Sequence, residues 1–142
     1  MKRVLFLMML IAVLFTPCAA QRNVVAYKVA NNYFFRNDAK IPDSLKFVSQ
    51  EQFDSCFGKA AFMGQKGMPT PIDFTKSFVI AKVLPATDVQ TEIVPQSLTR
   101  AAGHVLNFRY QIKKGSQQSY TMQPLLILVV NKKYSGYTIK EN

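Results

Sequence analysis

A strict alternation of apolar and polar residues in the second half of the chain constrains the fold most. One set of alternate positions holds His104, Leu106, Phe108, Tyr110 and Ile112, and the other holds Asn107, Arg109, Gln111 and Lys113. Because successive side chains of a β-strand point to opposite faces, this pattern predicts a strand over residues 104–112. One face of that strand is expected to pack on a core and the other to meet water.

Two other segments are apolar without alternation. Residues 78–84 and 124–130 each form a nearly continuous apolar run, which is typical of strands that are buried on both faces. The run at 124–130 is the more hydrophobic of the two, so it is predicted to be a central strand.

Further strands are predicted on both sides of these runs. Residues 88–93 alternate and are expected to form a half-buried strand that Pro95 ends. The stretch 114–119 is rich in glycine, serine and glutamine and is expected to be a connection, and 134–140 is expected to be the last strand. Short connections favour antiparallel neighbours, so the segment 71–140 is predicted to be a meander of about four strands.

The N-terminal half predicts shorter elements. Residues 24–35 are rich in β-branched and aromatic residues around an asparagine pair, which favours a strand, a bend and a second strand. Ser49 followed by Gln52 has the spacing of a helix capping box, and Gly58 is expected to end that helix. The predicted class is α+β, a mainly antiparallel sheet of about five to seven strands with one short helix, and a β-sandwich is the alternative.

Residues 1–20 have the organisation of a secretory signal peptide. Two basic residues precede an uncharged apolar stretch from Val4 to Phe15, which is shorter than the roughly 18 residues of a bilayer span. Cleavage is expected after Ala20, so that residues 21–142 form a single mature domain. Lipidation at Cys18 is an alternative that the stiff proline before it disfavours.

Export limits the classes of partner. Removal of Lys2 and Arg3 lowers the number of basic residues from 18 to 16 against 8 acidic residues, so the mature net charge is about +8. A periplasmic or secreted location argues against nucleic acid as the partner, and no later segment is long and apolar enough to span a membrane. Cys56 is then the one remaining cysteine, which excludes an internal disulfide.

Side chains for catalysis are scarce. A Cys/His hydrolase would have to pair the one histidine, His104, with Cys56 as the nucleophile, and with Asp54 or Asp73 as the orienting acid. A strand-end histidine against the core and a cysteine acting as a small core residue account for these two side chains more simply. Metal-ligand spacings and phosphate-binding glycine loops are absent from the sequence, so no cofactor, no metal and no enzymatic activity are predicted.

Positive charge is the feature of the sequence that would attract a partner. Two lysine pairs are predicted at the turn ends of neighbouring strands, beside aromatic residues. A basic sheet face or edge of this kind attracts acidic partners and can accept a partner strand. The candidate partner-binding residues are Arg109, Tyr110, Lys113, Tyr120, Lys132 and Lys133. The alternative is that these are solvated side chains that keep edge strands soluble.

A proline-bearing stretch, Pro71-Ile72-Asp73-Phe74-Thr75-Lys76, leads directly into the apolar run, and Gln123-Pro124-Leu125-Leu126-Ile127 opens the second run. With the two polar strands between them, this order resembles the C-terminal domain of PrcB-type proteins, the accessory subunit of a bacterial surface protease complex. The resemblance implies a non-catalytic extracytoplasmic domain that binds or stabilises a partner protein, such as a protease. It carries over no active-site residue.

Two further functions are open beside partner binding and hydrolysis. The loop Gly64–Pro71 contains two glycines and two prolines, and a rigid loop of this kind would suit a protease inhibitor that enters an active-site cleft. A structural subunit of the cell envelope is the other, and it would form a stable homo-oligomer without a ligand.

Overall fold

The computed structural model describes residues 23–61 and 63–142, and the predicted signal peptide with Cys18 lies outside them. The α-helix and strands of these residues are β1 (Tyr27–Val29), β2 (Tyr33–Phe35), β3 (Lys46–Phe47), α1 (Gln50–Asp54), β4 (Phe57–Lys59), β5 (Ser77–Val83), β6 (Thr87–Ala101), β7 (Val105–Met122), β8 (Leu125–Asn131) and β9 (Thr138–Glu141). Two 3-10 turns, at Gln65–Gly67 and Lys132–Tyr134, interrupt the loops.

The strands form three sheets. The central sheet has the order β1-β8-β5-β3 and is antiparallel throughout. Strands β2 and β4 form an antiparallel pair, and in the third sheet β7 lies between an antiparallel β6 and a parallel β9. The predicted class, α+β with a mainly antiparallel sheet and one short helix, is confirmed. Nine strands are present among the described residues, where about five to seven were predicted. Strands β1 and β2 lie within the predicted strand-bend-strand of residues 24–35, whereas β4, of three residues, lies where the helix was expected to end.

The two central strands are buried on both faces, as their apolar runs predict. In β5, Ile80 points into one hydrophobic cluster and Val79 points into a second. In β8, Leu128 belongs to the first cluster and Ile127 to the second. All four side chains have 0 % exposure, so the β5–β8 pair is the middle layer of the fold.

Each cluster is closed by a different cover. The β6-β7-β9 sheet covers the first cluster, into which it contributes Leu106 and Phe108. Strands β2 and β4 with helix α1 cover the second, where the Phe53 ring lies 4.8 Å from the ring of Phe57 and 5.3 Å from that of Tyr33. Aromatic pairs at such distances contribute about 0.5–1.5 kcal/mol each beyond their burial. Large rings thus allow very short elements to close this side.

Helix α1 begins as predicted and ends earlier. Ser49 Oγ accepts a hydrogen bond from the Gln52 N–H at 3.2 Å, and Gln52 Oε1 accepts one from the Val48 N–H at 3.0 Å. The prediction that Gly58 ends the helix is wrong, because Ser55 is the C-cap residue and Gly58 lies in β4. There its lack of a side chain leaves room for an aromatic ring of β2 to pack directly over the backbone.

The prediction that Pro95 ends its strand is wrong, since β6 continues through it. Pro95 lies opposite Tyr110 at a register shift. On β7, the Phe108 carbonyl accepts a hydrogen bond from the Asn142 N–H at 2.9 Å, on the side away from β6. By alternation, Tyr110 also directs its backbone groups away from β6, and Pro95 directs its nitrogen away from β7. Its missing N–H therefore removes no hydrogen bond from the ladder.

The predicted connection at 114–119 is part of β7, which continues to Met122. Its polar composition favours a loop, but the backbone pairs with β6 across two register shifts. Gly115 marks one of them, since a side-chain carbon there would stand 2.9 Å from the Gln90 side-chain oxygen. The pair Lys113-Lys114 consequently lies within a strand and not at a turn.

The predicted meander over 71–140 is also wrong. Strand β8 does not neighbour β7 but returns between β1 and β5. Strand β9 begins at Thr138 and pairs in parallel with residues Val105 to Phe108 of β7, while Tyr134 lies in the preceding 3-10 turn. A parallel pair needs a long crossover, and here β8 and its turn supply it.

We expect Phe108→Ala to destabilise the fold far more than Ile112→Ala. The two residues lie on the same face of β7, yet Phe108 is 0 % exposed and Ile112 is 41 % exposed. Removing the buried ring should lower the free energy of unfolding by about 3–5 kcal/mol, and removing the exposed side chain by less than about 1 kcal/mol. Urea denaturation followed by circular dichroism measures both. Equal losses would contradict a core that ends near Phe108.

Candidate protein-binding site

The most exposed regular element is the outer β7 segment, which we define as residues 109–121. Eleven of its thirteen residues are exposed, and the other two, Tyr110 and Gln118, are half-buried. Leu106 and Phe108, earlier in the same strand, are fully buried. The strand therefore leaves the core after Phe108 and continues with both faces in solvent.

One edge of the outer β7 segment carries no neighbouring strand among the described residues. Strand β9 pairs with β7 only from Val105 to Phe108. The carbonyls of His104 and Phe108 accept hydrogen bonds from this side, at 2.8 and 2.9 Å. The register with β6 is unbroken on β7 from Val105 to Lys114. Backbone N–H and C=O groups of Tyr110, Ile112 and Lys114 therefore point to the open edge.

The two faces of this segment differ in chemistry. Ile112 is on the face that continues the core, opposite the buried Ile93 of β6. Arg109 and Lys113 are exposed on the outer face. Neither cation forms an ion pair with any residue that the structure describes. Along the open edge, the core-side face therefore carries Tyr110, Ile112 and Lys114, and the outer face carries Arg109 and Lys113.

The structure brings together three of the six predicted partner-binding residues. Arg109, Tyr110 and Lys113 lie within five consecutive positions of β7. Tyr120 is 61 % exposed on the same strand, but the intervening residues place it roughly 30 Å further along. The sequence missed Ile112 and Lys114 as parts of this edge, because only the register with β6 shows which backbone groups are open.

Lys132 and Lys133 are not part of this site. They lie in the 3-10 turn that follows β8. The start of β8, near Met122 of β7, is at the other end of that strand. Lys132 Nζ donates to the Phe74 carbonyl at 2.9 Å, and Lys133 Nζ lies 5.0 Å from the ring centre of Tyr134. Both lysines therefore contact their own surroundings and not the β7 edge.

Tyr110 anchors the start of the outer segment through a polar cluster. Its hydroxyl donates to Glu141 Oε1 at 3.0 Å, and Lys82 Nζ lies 2.7 Å from the same oxygen. Burial raises the pKa of the Tyr110 hydroxyl, and the hydrogen bond to Glu141 raises it further. Burial opposes the charge of Lys82, but the hydrogen bond to Glu141 and the charges of Tyr110 and Glu141 outweigh it and raise the pKa of Lys82. The cluster ties β5 to β7 and β9.

The candidate catalytic residues are not brought together. Cys56 lies in the turn after α1, beside the second cluster, and not on a helical face. His104 is exposed in the β6–β7 turn, with φ 56° and its ring 5.1 Å from that of Tyr137. The Asp73 side chain accepts hydrogen bonds from the Thr75 hydroxyl and N–H, which lower the pKa of that carboxyl. Asp54 accepts from Gln50 at 2.7 Å.

Within residues 23–61 and 63–142, His, Cys, Asp and Glu form no group of three or more that could hold a metal ion. The helical segments in that part of the chain are too short or too polar to traverse a bilayer.

A cleft of about 740 Å³ lies between β6 and the segment that runs from the end of β1 through β2. It is lined by Glu92, by amide side chains and by Phe34. Neither Cys56 nor His104 lines it.

The loop Gly64–Pro71 is fixed at its base by Asn32. The Asn32 side-chain amide donates to the carbonyls of Lys66 and Met68, both at 2.9 Å. Asn32 has φ 64°, a left-handed conformation that asparagine tolerates. Met63, just before the loop, is 99 % exposed, and Met68 is 67 % exposed. The loop therefore presents apolar side chains on a supported backbone.

Comparison of the chain with protein-family models, with curated proteins and with solved structures gives no match.

We expect the Glu141→Gln variant to lose less folding stability than the wild-type chain as the pH rises into the alkaline range. The raised pKa values of Lys82 and Tyr110 mean that the folded state holds both protons more tightly than the unfolded chain, whose values are 10.5 and 10.0. The stabilisation of the folded state by these two protonated groups is therefore complete at neutral pH, and it is lost as the pH rises above about 10. Urea denaturation between about pH 8 and pH 11.5 measures the slope.

The exposed acid Glu92 provides the control for this measurement. Glu92→Gln should retain the slope of the wild-type chain, because Glu92 belongs to β6 and takes no part in the cluster. A Glu141→Gln variant with an unchanged slope would show that the cluster does not couple protonation to folding.

Proposed function

We propose that the mature chain is a non-catalytic extracytoplasmic domain that binds a partner protein through the outer β7 segment. The observation that carries this proposal is a long strand segment with an open edge, in which eleven of thirteen residues are exposed. Exposed strand edges invite association and are usually kept short or covered. A strand that continues fourteen residues beyond its last buried residue, Phe108, is therefore best explained by a partner that covers it.

The charge of the site supports an acidic partner. Arg109 and Lys113 are unpaired among the described residues and lie on one face. The whole chain has a formal net charge of +10, and about +8 after removal of the predicted signal peptide. Such a field accelerates encounter with negatively charged surfaces and disfavours positively charged ones.

The sequence supports the location and the class of partner. Residues 1–20 have the charge and apolar pattern of an export signal, so the partner is expected in the periplasm or outside the cell. The resemblance to the C-terminal domain of PrcB-type proteins favours a protease, which this domain would bind or stabilise.

Charge reversal at Arg109 and Lys113 should abolish capture of the partner. The mature chain, immobilised and exposed to the periplasmic or culture fraction of its native cell, is expected to retain an acidic protein. The double variant R109E/K113E should retain at least about tenfold less of it, since reversed charges repel an acidic surface. Quantitative mass spectrometry of the eluates measures the difference.

The double variant K132E/K133E is the matched control, because it changes net charge equally at a distant turn. It should capture the partner nearly as well as the wild-type chain. Equal losses of capture in both double variants would show that the effect depends only on net charge. Capture of no protein by the wild-type chain would contradict the proposed function.

Protease inhibition through Gly64–Pro71 is a second candidate, which the two hydrogen bonds of Asn32 favour. A loop already held in one conformation loses less entropy when it enters a protease cleft. The exposed Met63 and Met68 would be the side chains offered to such a cleft.

Asn32→Gly tests this candidate, because glycine keeps the positive φ and removes only the amide. Two lost hydrogen bonds at about 1 kcal/mol each should weaken inhibition by roughly thirtyfold. Inhibition constants against a panel of extracellular proteases measure the effect. Asn31→Ala is the control, since the bonds of Asn31 to Thr70 use main-chain atoms of Asn31. A wild-type chain that inhibits none of the proteases would exclude the candidate.

A further inference from the structure

The open edge of β7 offers a short and regular hydrogen-bonding ladder. Tyr110, Ile112 and Lys114 direct N–H and C=O groups to it, and the register with β6 is regular across these positions. Beyond Lys114 the pairing shifts repeatedly, which twists the strand and breaks a regular edge. The usable ladder thus spans five residues, close to the usual length of a β-strand of about five to six.

Ile112 gives this edge an apolar position. Its partner across the ladder is Ile93, which is 5 % exposed, whereas Ile112 is 41 % exposed. One side of Ile112 therefore packs on β6, and the side toward the open edge has no cover. An apolar side chain on an added strand would lie directly beside it and extend the core by one residue pair.

The outer face of the same edge requires the opposite chemistry. Arg109 and Lys113 lie on this face of β7, and Lys140 of β9 lies opposite Asn107 on it. Glu92 of β6 lies opposite Lys113, on the side away from the open edge. An added strand would therefore meet a row of cations, which acidic side chains would neutralise.

We infer that the partner binds as an extra β-strand along Tyr110–Lys114, and that this strand alternates apolar and acidic residues. The inference rests on the proposed function and specifies how that site recognises its partner. Main-chain hydrogen bonds supply the affinity of such a complex, and the alternate side chains supply its selectivity. A second copy of this chain does not fit the edge, because paired β7 edges would bring Arg109 and Lys113 of both copies together.

Ile112→Pro isolates the main-chain contribution. The Ile112 N–H points away from β6, so a proline there removes a donor from the open edge and leaves the internal ladder intact. Pro95, at a register shift of β6, is an example in this fold of a proline whose nitrogen faces away from the ladder and costs it no hydrogen bond. Ile112→Thr is the matched control, because it removes the apolar side chain but keeps the N–H. Circular dichroism and thermal unfolding establish that both variants fold.

The probe is a fluorescent ten-residue peptide of alternating valine and glutamate, and its comparison peptide has lysine in place of glutamate. At low ionic strength we expect the acidic peptide to bind at least about tenfold more tightly than the lysine peptide. Ile112→Pro should weaken binding by at least about tenfold, and Ile112→Thr by less than about threefold. Fluorescence anisotropy measures the dissociation constants.

N-methylated peptides test the ladder from the other side. Only alternate residues of an added strand direct their N–H groups at β7. If the added strand is antiparallel, the residue opposite Ile112 is a valine on the same face, and its N–H points at β7. Methylation of the valine nitrogens should then abolish binding. Methylation of the glutamate nitrogens should abolish binding if the strand adds in parallel. Loss in both peptides, or in neither, would contradict strand addition.

Other outcomes would also overturn the inference. They include an acidic peptide that binds no better than the lysine peptide, an Ile112→Pro variant with unchanged affinity, and a homodimer in sedimentation that Ile112→Pro dissociates. A native partner that Ile112→Pro still captures would also contradict strand addition, while leaving the proposed protein-binding function intact. Peptide binding as expected, without capture of any protein, would support the edge and contradict the proposed function alone.

Discussion

Two neighbouring antiparallel strands, β5 and β8, are apolar on both faces, and the rest of the fold depends on covering them twice. Their direct pairs, such as Ile80 with Leu128 and Ala81 with Ile127, point alternately into the two clusters. The second cluster is closed by elements of three to five residues, which suffices because aromatic side chains bury about 150–250 Å² each. The first cluster is closed by the β6-β7-β9 sheet, part of which extends into solvent.

The covering sheet is longer than the core that it covers. Strands β5 and β8 have seven residues each, whereas β6 has 15 and β7 has 18. At about 3.3 Å per residue, β7 is therefore more than twice as long as the central strands. Strand β9 pairs with only four residues of β7. The open edge thus follows from a mismatch in strand length and not from an irregular loop.

The elements that depend on neighbouring residues could be predicted from the sequence. The pairings between strands that are distant in the chain could not. The apolar runs identified β5 and β8, and Ser49 with Gln52 identified the start of α1, because burial and capping are read from neighbouring residues. The partners of β8 and β9 depend on which edges are free in three dimensions, so the predicted meander failed. At the candidate site, Arg109, Tyr110 and Lys113 were proposed from their residue types. Ile112 was not proposed from the sequence, because its exposure depends on where the core ends and not on its chemistry.

Under the proposed function, the cations of the open edge would serve solubility and recognition together. An uncharged strand of this length with a free edge would pair with its own copies. Arg109, Lys113 and Lys114 prevent this pairing, because two such edges would bring like charges into register. The shifts in pairing beyond Lys114 further limit the regular edge to a length that one short strand fills. In the proposed complex, the cations that would exclude a second copy of the chain would also select an acidic strand, so the solubilising and the binding interpretations of these lysines describe one physical effect.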